Sequence, residues 1–108
     1  MEHLNRIQIR GTVGAIRLSN IGGRTVANFS VCTEHFTKLP DGAVINETTW
    51  HQVVCWQSES SFNLIGLYRG QNVYVEGRVR HMKYTNTVGE EKVFSEIIAS
   101  KLESVKDE

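Results

Sequence analysis

Five stretches of this chain, residues 5–18, 25–35, 48–57, 71–82 and 92–102, alternate apolar and polar side chains almost residue by residue. A period of two fits strands with one face buried and the other in water; a helix would repeat about every 3.6 residues. The first stretch, NRIQIRGTVGAIRL, sets Ile7, Ile9, Gly11 and Val13 against Arg6, Gln8, Arg10 and Thr12. Its length and the glycines at 11 and 14 predict a strand that bends sharply or carries a bulge, as a small barrel needs in order to close. Asn20-Ile21-Gly22-Gly23 predicts a hairpin turn into the second stretch, where Ala27, Phe29, Val31 and Thr33 resume the alternation.

Between the strands the signals differ. Residues 37–46, TKLPDGAVIN, hold Pro40-Asp41-Gly42, in which proline fixes one dihedral and glycine permits a positive one, so a long exposed loop is predicted. Residues 58–70 are the helical candidate: Ser58 or Ser60 can cap its start, Gly70 can end it after Arg69, and Phe62, Ile65 and Tyr68 give it an apolar stripe that Gly66 weakens. Residues 84–91, YTNTVGEE, form a polar turn. A chain of 108 residues suffices for one domain with one core, expected to span 1–108 with its core at about 5–102. Five strands with one short helix between the third and fourth match a mainly β architecture, the five-stranded Greek-key barrel called the OB-fold.

Several function classes have no support. No run approaches the ~20 apolar residues needed to span a bilayer, and the start MEHLNRIQIRG has charges where a signal peptide needs an apolar core, so a cytoplasmic location is expected. Cys32 and Cys55 lie inside strands and are expected to be buried thiols. Cys32-x-x-His35 and His51-x-x-x-Cys55 resemble zinc pairs only on paper. Strand residues three apart face opposite ways and those four apart stand about 13 Å from each other, whereas zinc ligands converge within ~2.3 Å of one ion. No glycine-rich phosphate loop precedes a helix, and no serine or cysteine has a nucleophile's context. The sequence therefore calls for no enzyme, metal or cofactor.

Binding is better supported. In ETTWHQVVCWQ, residues 47–57, Trp50 and Trp56 are six apart and share one strand face with Gln52 and Val54, while Val53 and Cys55 supply the opposite, apolar face. Phe36 opens the predicted loop after the second strand, and Tyr84 opens the turn after Lys83. Such rings can be core residues or exposed stacking surfaces. Single-stranded nucleic acid offers flat bases to stack on rings and phosphates to pair with cations. The candidate cations are Arg6, Arg17, Arg69, Arg80 and Lys83. The chain's 12 basic and 12 acidic residues cancel, so any such surface depends on local distribution, not on net charge.

Asn5-Arg6-Ile7 leading to Gly11-x-x-Gly14, Gly22-Gly23 before Val26-Ala27-Asn28-Phe29, Thr49-Trp50-His51-Gln52-Val53-Val54, Arg69-Gly70 with Val73-Tyr74-Val75-Glu76-Gly77, and Lys83-Tyr84 with Gly89 together resemble the bacterial single-stranded DNA-binding proteins. The likeness runs from about residue 5 to about residue 102. It implies an OB-fold over which DNA wraps, with bases stacked at Phe36, Trp50, Trp56 and Tyr84 and phosphates at Arg6, Arg17, Arg69, Arg80 and Lys83. Phe36 and Tyr84 stand where tryptophan is common in the family, and Gln52 where arginine is. His51 matches a subunit-interface position, implying a homo-oligomer, with a homotetramer favoured over a dimer. Relatives usually continue through a Gly/Pro/Gln-rich linker to an acidic tip ending in an aromatic residue that recruits replication and repair enzymes. This sequence stops at Glu103-Ser-Val-Lys-Asp-Glu108 and is expected to be a short form without that recruitment. The alternatives are a primosome-type OB protein that bridges replication-restart partners, and an OB module that binds protein or carbohydrate.

Overall fold

The computed structural model describes residues 1–106; Asp107 and Glu108, the acidic end of the sequence, lie outside the described residues. Five strands, β1 (Ile7–Ile21), β2 (Arg24–Lys38), β3 (Val44–Trp56), β4 (Asn72–Thr85) and β5 (Glu91–Ser104), close into a barrel in the order β1-β2-β3-β5-β4. All neighbours are antiparallel except β3 and β5, which run parallel for a short stretch at Val53–Ile97 and Val54–Ile98. The expected OB-fold is present, and the predicted alternation sorts inside from outside. Ala27, Phe29 and Val31 of β2, Val53 and Cys55 of β3, and Val73 and Val75 of β4 are buried. Burial pushes the Cys55 thiol up to about 11 and keeps it protonated.

Closure depends on two irregularities. The register of β1 against β2 slips by one residue between Val13 and Ile16, so of the bend or bulge expected from the glycines at 11 and 14 the strand carries a bulge, at Gly14. The bend lets the first half of β1 pair with β4 while its second half pairs with β2. The second slip lies opposite Glu76 and Gly77, where β5 carries Ser100 as an extra residue. That residue changes the inward parity of β5, so Ile97 and Leu102 both enter the core. Gly77 is required there: a Cβ would lie 2.1 Å from the Ile98 carbonyl oxygen. Asn5 extends the ladder beyond the end of β1, its side chain donating to the Val79 carbonyl at 2.6 Å and accepting from the Val79 N–H at 3.0 Å.

Two predicted connections differ from the structure. The expected loop at 37–46 shrinks to a turn, because β2 continues to Lys38 and β3 begins at Val44. The Leu39 N–H bonds to the Ala43 carbonyl at 2.8 Å, Asp41 Oδ1 accepts from the Ala43 N–H at 2.9 Å, and Gly42 takes a positive φ of 89°. This ribbon projects with both faces in water, so it has no buried face to impose an alternation. Tyr84 likewise falls inside β4, which continues to Thr85.

The helix predicted for 58–70 contracts to one 3-10 turn, Leu64–Gly66, capped by Asn63 and not by Ser58 or Ser60. Gln57 organises the rest: its Nε2 donates to Ser61 Oγ at 3.2 Å and to the Phe62 carbonyl at 3.0 Å, and its Oε1 accepts from the Leu64 N–H at 2.8 Å. These side-chain bonds satisfy backbone groups that a helix would otherwise pair. The predicted stripe is also reassigned. Ile65 and Tyr68 are exposed, whereas Leu64 and Leu67 are buried and join the barrel's hydrophobic core.

Candidate nucleic-acid interface

The outward face of β3 carries Trp50, Gln52, Val54 and Trp56 in one row, opposite Val53 and Cys55. Phe36 pairs with Asn46 across the β2–β3 ladder and therefore shares this face. Phe36, Trp50 and Trp56 thus form a line extending over about 33 Å of strand at ~3.3 Å per residue. Phe36 is 61% exposed and Trp50 56% exposed, which excludes a core role for both. Trp50 lies against Gly14, where an added Cβ would come within 2.6 Å of its Cζ3. The glycine that bends β1 also makes room for this ring. Trp56 is half-buried, with the Arg24 guanidinium 5.2 Å from its ring centroid, a cation–π contact.

A second group of rings stands on the β4–β5 hairpin. Tyr84, 52% exposed, meets Phe94 edge to face with ring centroids 5.8 Å apart. Phe94 was not among the expected site residues. Even-numbered Lys92, Phe94 and Glu96 share the outward face of β5, and a ring in a row with two charged residues was the available signal.

The candidate cations occupy unequal settings. Arg17 pairs with Asn28 in the β1–β2 ladder and lines the groove between the two ring groups. Arg80 bonds to Glu96, its Nε donating to Oε1 at 2.6 Å. Lys83 lies 3.9 Å from Glu91. Arg6 is held by Glu76, and it lines a different hollow with Gly77 and Ile98, away from the rings. The Glu76 carboxyl is held below its ordinary value first by the Tyr74 hydroxyl and then by Arg6. Arg17 and Arg69 join none of the ion pairs among the described residues. His51, on the other face of β3, bonds to Thr33 Oγ1 at 2.9 Å, and partial burial lowers its pKa.

Residues 4–105 match the sequence model of the single-strand binding protein family. The chain belongs to that family. Among its relatives, single-stranded DNA-binding protein 1 of Chlorobaculum tepidum is 28% identical over 103 residues, covering 93% of this chain and 64% of the relative. A protein of the same description from Xylella fastidiosa is 29% identical over 106 residues, covering 95% and 78%. The chain thus spans about half to four-fifths of the length of the curated relatives it matches. A Plasmodium falciparum SSB solved in complex with ssDNA superposes with a TM-score of 0.82 at 27% identity over 98% of both chains. A deletion mutant of the single-stranded DNA binding protein from Thermus aquaticus, 21% identical, agrees in fold with a TM-score of 0.75, over 95% of this chain and 51% of that one. Among the described residues, no helix of this family member is long and apolar enough to cross a membrane.

Proposed function

We propose that this chain binds and protects single-stranded DNA, stacking bases on Phe36, Trp50, Trp56 and Tyr84 and pairing phosphates with the cations around them. The row of Phe36, Trp50 and Trp56 on one outward face carries the reading, because large rings left in water on a single line match successive bases of an unpaired strand. Family membership and the Plasmodium complex support it. Stacking tolerates every base, so binding accepts any sequence. Arg17 and Arg69 meet phosphates directly, whereas Arg80 and Lys83 must first loosen from Glu96 and Glu91. Each neutralised phosphate adds about −0.7 to the salt slope of single-strand binding, so the ion-paired cations make that slope shallow. The proposed setting is DNA replication, recombination or repair in the cytoplasm, at the nucleoid, without catalysis.

Both tryptophans of the chain belong to the proposed surface, which makes intrinsic fluorescence a direct probe. Titration with oligo-dT at low salt should quench tryptophan emission, and saturation without any change in emission or mobility would overturn the reading. The same proposal includes a homotetramer with His51 at a subunit contact. Its solution mass should be about four times 12.2 kDa. A dimer that also captures a helicase would favour the primosome-type alternative.

A further inference from the structure

Arg24 was not among the expected phosphate contacts, yet it stands on the same outward face as the rings. The β2–β3 register runs unbroken from Val26 opposite Trp56 to Lys38 opposite Val44, so the even-numbered residues of both strands share one face. Arg24 opens β2 two residues before Val26 and continues that row beyond Trp56, at the end opposite to Phe36. Its guanidinium lies over the Trp56 ring, 5.2 Å from the centroid, and its Nη2 donates to the Gln57 carbonyl at 3.2 Å.

The way Arg24 is held sets it apart from other cations of the surface. Arg6 and Arg80 are fixed by carboxylates and Lys83 faces one, so each must give up an opposite charge before it meets a phosphate. Arg24 joins none of the ion pairs among the described residues. A ring face and a neutral carbonyl restrict its side chain without cancelling its charge. The result is an exposed arginine that is ordered in advance and still fully positive. A phosphate meeting it gains the attraction with less side-chain entropy left to lose.

We propose that Arg24 is a further phosphate-binding residue of the single-stranded DNA interface, seated on Trp56 so that ring and guanidinium take a base and its flanking phosphate as one unit. In a nucleic acid strand each base stands only a sugar away from a phosphate. A strand whose base meets Trp56 therefore carries that phosphate past a guanidinium 5.2 Å from the ring centre. The inference rests on the single-stranded DNA reading and adds to it a cation that needs no release from an acid.

The test measures the oligo-dT affinity of the full chain over a series of salt concentrations. One phosphate contact contributes about 0.7 to the salt slope of single-strand binding, so Arg24→Gln should make the slope shallower by that amount and weaken binding roughly fivefold at about 0.1 M salt. Arg24→Lys keeps the charge and should keep the parental slope. With Trp56→Ala already in place Arg24 has lost its seat, and Arg24→Gln should then cost about twofold or less. A parental slope in Arg24→Gln, even at reduced affinity, would make the residue a support for Trp56 alone and overturn the phosphate contact. Affinity that rises in Arg24→Gln would mean that the guanidinium shields the ring from bases, and an undiminished loss in the Trp56→Ala background would remove the seat. Either result overturns the paired unit and leaves the DNA-binding function standing, whereas failure of the parent protein to bind oligo-dT would remove both.

Discussion

Trp50→Ala should weaken binding of oligo-dT by about five- to a hundredfold, the loss expected when one stacked base contributes ~1–3 kcal/mol. The size of the effect follows from position. Trp50 lies between Phe36 and Trp56 on the outward row, so a strand that contacts all three must pass over it. Little stability should be lost with it, because more than half of its surface already faces water and its underside rests on Gly14. Trp56→Ala should weaken binding as well but melt earlier than Trp50→Ala, since its half-buried ring also carries the Arg24 contact. Equilibrium titration and thermal melting of both variants check this. A folded Trp50→Ala protein that binds oligo-dT as tightly as the parent would remove this ring from the interface.

The second large effect concerns the fold. Gly77→Ala should lower stability by about 3 kcal/mol or more, because the new methyl group would meet main chain on β5, which has no rotamer through which to yield. For a chain of this size that corresponds to a fall in Tm of more than about 10 °C at a fixed protein concentration. Gly66→Ala is the matched control: nothing lies within 4 Å of its would-be Cβ and its φ is ordinary, so its Tm should stay within a few degrees of the parent. Circular dichroism melts of the two variants provide the comparison. Equal melting temperatures would mean that β4 and β5 can separate at the bulge without cost, contrary to the closure described above.

These two sites differ in how far the sequence discloses them. Trp50 was legible because strand parity needs only local information: Val53 and Cys55 are apolar, so the even-numbered face of β3 is the other one. The close approach at Gly77 was not, since it depends on which residue of β5 lies opposite. The 3-10 turn was missed for a related reason. Ser58, Ser60 and Gly70 suggested a helix, but the Gln57 side chain takes the backbone partners, and Leu64 and Leu67 are held by core residues of strands far away in sequence.

The sequence by itself determined five strands, the inward and outward faces of β3, a bend or bulge in β1 from Gly11 and Gly14, and the candidate rings and cations, because period-two alternation and glycine punctuation act within a few residues. Only the tertiary structure decided which of those groups meet. Register across the β2–β3 ladder put Phe36 in line with Trp50, and register across β4–β5 gave Arg80 to Glu96 and Phe94 to Tyr84. Strand pairing is fixed by the closure of the whole barrel, with its two one-residue slips, and no local pattern encodes the sum of those shifts.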